Sequence, residues 1–387
     1  MRISELEARD PSLGRSIRTA LSEGWSAQYG KEIRVVDKRE SGQLWRAQRL
    51  LSAYFSGRPS KSVRQFLADL FRYTSRPARM PFQYLLGTAL AQPFAFRLCP
   101  GAFRVEPPLA HVEDLLVIPG NRRIRVFDFG RGQSRVFAMG PRGCAANLQE
   151  LSMRSQQNSP FLVPVLGYAQ DGSWLEEPIE NASPLPRLKP WQSTRTFGEK
   201  AWDALATHLL RSARNIDAKQ HVKALLAAAE ECSKRLKEKT PDFPHERIRA
   251  LLARLAEQAN RMGTITLARG HGDFQPGNVL VRPNGSILII DWEYAQERWI
   301  AYDFLVFALR ARAPMGLSER LKALDLEKLA ERLPDSLHEQ RKELRQRGSL
   351  ALFLLEELLW SLEDEIDLGL QGTSERIKRI VAELTSV

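Results

Sequence analysis

Two short apolar runs, Val279–Val281 and Ile287–Ile290, flank the pentapeptide Arg282-Pro283-Asn284-Gly285-Ser286. β-branched residues on either side of Asn-Gly are a strong local signal for a β-hairpin. A hairpin dictates which distant residues meet. If Asn284-Gly285 is a two-residue turn, Asn278 lies directly opposite Asp291. Pro283 has no N–H for the closing pair. A three-residue loop, with Pro283 opening a type I turn and Gly285 left-handed, shifts the pairing by one. In both registers the two residues stand at the same end of the hairpin, within roughly 5–8 Å across the strands.

An amide oxygen and a carboxylate so placed form a hard oxygen site suited to Mg²⁺. Asp273 precedes Asn278 in His271-Gly272-Asp273-Phe274-Gln275-Pro276-Gly277-Asn278, on the loop that leads into the hairpin. A lone carboxylate beside a metal-binding pair suits phosphoryl transfer. That reaction needs an oriented acceptor hydroxyl and neutralised phosphates, and little covalent chemistry from the protein. The Asp-to-Asn spacing is that of the base and the metal-binding Asn in the protein-kinase catalytic loop.

The segment 270–309 resembles the catalytic core of the aminoglycoside phosphotransferase and choline kinase family, which has a protein-kinase-like fold. The resemblance rests on His271, Asp273, Asn278, Asp291 and Tyr302-Asp303-Phe304-Leu305. It implies that Asp273 is the catalytic base and that Asn278 and Asp291 are Mg²⁺ ligands. His271 would orient the loop, Asp303 would brace it from the following helix, and ATP would be the donor. Glu293 is left open between a second metal and a salt bridge.

Upstream, strand-like runs at 115–118, 123–129 and 134–139, a helix at 145–156, and strands at 162–168 and 173–178 follow in order. By the resemblance this is a kinase-like N-lobe. Gly120-Asn121 would cover the phosphates, and the segment 176–179, with Glu177 and Ile179, would be the hinge that meets adenine. The third strand, Ser134-Arg135-Val136-Phe137-Ala138-Met139, lacks the family's phosphate-binding Lys, and Ala138 or Met139 stands in its place. Glu150 is the helix Glu that such a Lys would pair with. Arg135, or one of Arg123, Arg125 and Arg142, is expected to supply the missing charge, although Arg is a planar fork rather than a point charge.

At 387 residues the chain has room for two or three domains. Cys99, Cys144 and Cys232 are far apart and without CxxC spacing, which argues against disulfides or zinc and fits a reducing cytoplasm. The charged start lacks an apolar signal core, and no uncharged run of about 18 residues suggests a membrane span. The expected location is cytoplasmic, with peripheral placement at the inner face of the membrane as the alternative.

The net charge of +11 is uneven: residues 1–104 hold 18 Lys and Arg against 8 Asp and Glu. Such a field attracts nucleic acid, anionic membranes or phosphorylated substrates. No helix-turn-helix, zinc-finger or aromatic RNA-binding signature accompanies it, so nucleic acid is not an expected partner. An anionic membrane surface reached through 1–104 is retained. Within this region Arg46–Phe55 and Ser62–Tyr73 have helical spacing, the second with Ser60 or Ser62 as cap. Met80–Phe96 is uncharged and flanked by Arg76, Arg79 and Arg97. It reads as a helix buried against the protein, with interfacial binding as the alternative. Residues 181–387 are mainly helical. In 350–368 the cluster Glu356, Glu357, Glu363, Asp364, Glu365 and Asp367 reads as a solvated face, or else as a receiver for a cationic acceptor.

The chain is thus expected to be α+β and bilobal. A basic, mainly helical N-terminal extension (1–104) precedes an antiparallel-sheet N-lobe (105–180) and a helical C-lobe (181–387) with its catalytic loop at 270–293. The expected function is ATP- and Mg²⁺-dependent phosphotransfer to a hydroxyl of a small molecule or glycan, including a lipid-linked or lipopolysaccharide sugar. The alternative is a pseudokinase-like nucleotide-binding or scaffold protein without turnover.

Overall fold

The computed structural model describes residues 13–49, 51–72, 80–120, 122–155, 159–185, 194–240, 242–313, 316–367 and 375–385. The chain divides into two units, 1–157 with 163–181, and 158–162 with 182–387.

In the first unit the strands are β1 (Arg34–Asp37), β2 (Gln43–Gln48), β3 (Ala53–Ser56), β4 (Gly101–Glu106), β5 (Leu115–Pro119), β6 (Arg123–Asp128), β7 (Gln133–Ala138), β8 (Gly167–Tyr168) and β9 (Trp174–Pro178). They form one antiparallel sheet in the order β1-β4-β2-β3-β5-β6-β7-β9-β8. The first 104 residues, expected as an appended segment, are therefore continuous with the expected N-lobe, and the boundary drawn at 104 falls inside β4. Helices still make up much of this region, but β1 to β4 extend the same sheet.

Arg46–Phe55, expected as a helix, is instead a strand pair in which Arg46 lies opposite Phe55. The chain reverses at Ser52, which takes a left-handed φ of 51°. The alternation of β3 explains the outcome. Tyr54, opposite Val117, faces a core with Trp25, Trp45 and Phe103. Phe55, opposite Leu116, faces the other core with Val63, Leu67 and Phe96. A strand buries apolar residues on both faces, whereas a helix would bury one stripe. The helix Leu13–Tyr29 covers the first face through Ile17, Leu21 and Trp25. The helix Lys61–Arg72 covers the second through Val63 and Leu67, and Ser60 Oγ accepts from the N–H of Val63 at 3.4 Å as its cap.

Met80–Phe96 also departs from expectation. It is two helices, Met80–Leu90 and Pro93–Arg97, with Pro93 opening the second. Gly87 and Phe96 are buried, while Phe82, Tyr84, Leu85 and Phe94 are exposed.

In the second unit β10 (Ser183–Pro184), β11 (Arg214–Asp217), β12 (Thr264–Gly270), β13 (Val279–Val281), β14 (Ile287–Ile289) and β15 (Gln296–Trp299) form two small sheets, β10-β13-β14 and β11-β12-β15. Helices Ala218–Lys239, His245–Ala259 and Ser349–Asp367 pack against one another. The overall class is α+β, as expected. No described helix is long and apolar enough to cross a membrane.

Candidate active site

The β13–β14 hairpin takes the three-residue register. Val279 lies opposite Ile289 and Val281 opposite Ile287. Arg282 N–H donates to Ser286 O at 2.9 Å, Gly285 N–H to Arg282 O at 2.8 Å, and Gly285 has φ +79°. Asn278 therefore faces Ile290, whose N–H donates to Asn278 O at 3.0 Å. Asp291 follows at once, in a left-handed conformation with φ 69° and ψ 55°. That conformation costs an L-residue about 1–2 kcal/mol, and Asp is among the residues that bear it best.

β12 delivers the chain into the loop at His271, which is fully buried. Asp303, at the start of the helix Tyr302–Leu309, accepts from the N–H of His271 at 2.6 Å and of Gly272 at 2.9 Å. The bracing role that the resemblance implied for Asp303 thus corresponds to two direct bonds. His271 Nδ1 accepts from the N–H of Asp273 at 3.2 Å, so the ring proton is on Nε2, which donates to Ile290 O at 2.9 Å. One imidazole links the catalytic loop to the hairpin. Gly272 has φ +81°, and a Cβ there would collide with the carbonyl oxygen of Tyr294.

Asp273 is 8% exposed, and among the described residues three side-chain donors reach its carboxylate. Arg312 Nε reaches Oδ1 at 2.8 Å, and Gln275 Nε2 and Asn278 Nδ2 reach Oδ2 at 3.0 and 3.1 Å. Burial raises its pKa, and the Arg312 guanidinium opposes that rise. Asn278 Nδ2 also donates to Asp273 O at 2.9 Å. With its N–H groups turned to Asp273, Asn278 has its carbonyl oxygen available for a cation. Asp291 adds a carboxylate from the adjoining position. These are the hard oxygen donors that Mg²⁺ prefers, so the residue set fits that ion.

Arg312 was invisible in the sequence. It lies beyond the helix Tyr302–Leu309, outside any motif or periodic pattern. Besides Asp273 it pairs with Glu357, donates to Gly272 O at 2.8 Å and to the Tyr302 hydroxyl at 3.1 Å, and lies 3.5 Å from the Trp360 ring centroid. Only tertiary proximity marks it.

The acidic helix Ser349–Asp367 is neither a solvated face nor an open cation receiver. Glu356, Glu357, Asp364 and Glu365 are buried. Glu356 Oε1 lies 2.7 Å from His221 Nε2 and accepts from Trp299 N–H at 2.9 Å. Asp364 accepts from the Tyr294 hydroxyl at 2.7 Å. Glu357, Trp360 and Asp364 recur at helical spacing and form one stripe, which meets Arg312 and Tyr294. Glu356, Glu357 and Asp364 each bond partners within the fold. Glu293 sits in the short 3₁₀ turn Trp292–Tyr294.

The first unit holds the remaining expected site residues in a different arrangement. Arg135 pairs with Glu176 and lies over Trp174, away from Glu150. Arg123, directly opposite Ala138 across the β6–β7 pair, is the residue that reaches Glu150. Of the four arginines considered, Arg123, on the neighbouring strand at the level of Ala138, is the one that pairs with Glu150. Arg154 joins Glu150 at 3.0 Å to Glu177 at 2.8 Å, and Glu177 also pairs with Arg125 at 2.8 Å. Glu177 is buried in this network, and the N–H of Ile179 donates to Gly132 O at 2.9 Å. These bonds engage the Glu177 side chain and the Ile179 N–H. Gly120 N–H donates to Arg123 O at 2.8 Å, and Asn121 lies outside the described residues.

Burial raises the pKa of Glu150, but Arg123 and Arg154 outweigh it and hold the group down to about 2, against 4.5 unperturbed. A lowered folded pKa adds stability above the unfolded value and loses it as pH falls through the folded one. Wild-type stability is expected to fall between about pH 4.5 and about 2, with this group contributing a slope of up to about 1.4 kcal/mol per pH unit. Glu150→Gln removes that contribution. Denaturant midpoints measured across this window with identical slopes in both proteins would show the network carries no such linkage.

Residues 159–343 match the profile of the phosphotransferase enzyme family. No curated protein matches the chain. Among solved structures, the choline kinase LicA from Streptococcus pneumoniae is similar at 16% identity, covering 72% of this chain and 92% of its own, with a TM-score of 0.44. A Plasmodium vivax ethanolamine kinase is similar at 13% identity, covering 82% and 90%, with a TM-score of 0.47. The aminoglycoside phosphotransferase APH(3'')-Id from Streptomyces rimosus is similar at 17% identity, covering 64% and 93%, with a TM-score of 0.41.

Proposed function

We propose, from the match of residues 159–343 to the phosphotransferase enzyme family, that the chain transfers the γ-phosphoryl group of ATP to a hydroxyl of a small molecule or glycan, with Mg²⁺ as cofactor. The observation that carries this reading is the direct bond from Asn278 Nδ2 to the Asp273 carboxylate, at 3.1 Å, on a loop clamped by Asp303. It supports reading the two residues as a base and a metal-ligand amide held in one constellation. Asp273 orients the acceptor hydroxyl and takes its proton as the new P–O bond forms. Asn278 and Asp291 would hold Mg²⁺, whose charge offsets that of the phosphates. In the N-terminal unit, Gly120 is assigned to the phosphates and Arg123 takes the charge role of the absent strand Lys.

For the acceptor, two observations favour an anionic or membrane-linked sugar, such as a lipopolysaccharide or other lipid-linked glycan, over a free polycation. The basic charge is concentrated in residues 1–104, and the carboxylates of the helix Ser349–Asp367 that would attract a cation are internally paired. A nucleotide-consumption screen, with and without Mg²⁺, against sugars, aminoglycosides, choline-like amines and lipid-linked glycans tests both parts. Asp291→Asn keeps a side chain that tolerates the left-handed backbone and removes the charge. It is expected to weaken Mg²⁺-dependent ATP binding by roughly 10–100-fold in titration calorimetry with little change in Tm. Equal binding by the variant rejects Asp291 as a ligand.

A second reading, nucleotide binding or scaffolding without turnover, is favoured by one specific observation: Arg135, Glu150, Glu177 and the Ile179 N–H are all engaged inside the first unit. ATP binding in calorimetry with no consumption against any acceptor selects it.

A further inference from the structure

We propose that the segment carrying the exposed Phe82, Tyr84, Leu85, Phe94 and Leu98 docks on an anionic lipid surface. This narrows to one segment the membrane contact suggested above for residues 1–104, and it does not depend on the reading of Asp273. The five side chains are 62–82% exposed. They lie on the helices Met80–Leu90 and Pro93–Arg97 and on the residue that follows. Phe82 and Leu85 are three apart, on one side of the first helix. That helix packs on the helix Lys61–Arg72 and buries Gly87 while leaving Phe82, Tyr84 and Leu85 outside. A soluble helix normally does the reverse. Scattered exposed leucines need no explanation, but five large apolar groups within 17 residues do.

Charge selects the occupant. In sequence there is no carboxylate between Asp69 and Glu106 but five arginines; of these, exposed Arg97 ends the second helix, while Arg104 donates to the carbonyls of Lys38 and Gly42. A second copy would bring an identical set of arginines against the first. A cationic or neutral partner gains nothing from them. Apolar and aromatic groups that enter a headgroup layer, flanked by Arg that meets anionic lipid, use every part of the pattern. The uncharged run is too short to span, so contact is at the interface.

Vesicle flotation of the full chain provides the test, without nucleotide or acceptor, so its failure is separable from failure of the phosphotransfer reading. Wild type is expected to float with phosphatidylcholine–phosphatidylglycerol vesicles and not with phosphatidylcholine alone. Phe82→Ser/Leu85→Ser/Phe94→Ser is expected to lose about tenfold or more in partitioning, with Tm unchanged. Should the triple variant fail to fold, Leu98→Glu alone is expected to weaken binding several-fold. Salt at 0.5 M is expected to lower binding toward the level seen with phosphatidylcholine alone, and Arg97→Glu to weaken it in part. The proposal is overturned if wild type does not float with anionic vesicles, if folded apolar variants float equally, or if the triple variant converts a wild-type dimer to monomer without changing flotation.

Discussion

Asp273→Asn is expected to reduce phosphoryl transfer by about 10²–10⁴-fold while leaving a folded protein. The substitution preserves volume in a nearly sealed site and removes the group that accepts the hydroxyl proton. Arg312 keeps Glu357 as partner, so no buried guanidinium is stranded. The Asn side chain still offers one oxygen to the donors from Arg312, Gln275 and Asn278. Turnover against the acceptor found in the consumption screen, together with the thermal midpoint, measures both halves. Unchanged turnover removes Asp273 from the mechanism. In wild type the base must be ionised, and burial raises its pKa from its ordinary value, against the opposing Arg312 charge. The acid limb of kcat/KM is therefore expected to be shifted upward from that of an ordinary Asp. The same sign governs stability: Asp273 favours folding below its unfolded value of 3.8, and that contribution is lost as pH rises through the folded value.

Arg312→Met carries the larger structural penalty. Arg312 is the shared cation of two buried carboxylates, Asp273 and Glu357, and the donor to Gly272 O and the Tyr302 hydroxyl. Removing one member of a buried ion pair costs about 3–5 kcal/mol, because the remaining charge has no solvent to replace it. At about 2–4 °C per kcal/mol the thermal midpoint should fall by roughly 6–20 °C. Glu357→Gln in the same chain should recover part of the loss, and a double-mutant cycle isolates the coupling. Arg312→Lys restores charge but not the fork that spans several acceptors, and should remain well below wild type. Arg312 acts on Asp273 by position and charge. Its loss should move the acid limb of kcat/KM upward as well as lower the rate, which a purely structural residue would not do. A midpoint within about 1 °C of wild type would show that the clamp contributes nothing.

The elements legible in the sequence are those whose information is local. Asn284-Gly285 announced the hairpin, and Pro283 correctly pointed to the longer loop that the register now has. The HxD…N…D spacing identified the loop because its residues are joined by short stretches of chain. Reading failed where two periods were compatible with the same residues. Arg46–Phe55 satisfies helical spacing, but Tyr54 and Phe55 must enter opposite cores, which no window of sequence contains. The acidic cluster near the C-terminus misled for the opposite reason. Charge on a helix is ordinarily solvated, and only partners far along the chain, His221, Trp299, Arg312 and Tyr294, make its burial tolerable. The shift of the Glu150 partner from β7 to Arg123 on β6 is likewise a cross-strand fact.

By itself, then, the order of residues determined the α+β class, the hairpin, the loop and the identity of its base and metal-ligand candidates, because backbone propensity and short spacing act over a few residues. Tertiary structure alone decided that residues 1–104 extend the sheet, that Arg312 grips Asp273, that Arg123 pairs with Glu150, and that large apolar side chains of one helix face outward. Those outcomes depend on which distant surfaces desolvate one another, and desolvation is a property of the assembled fold rather than of any segment.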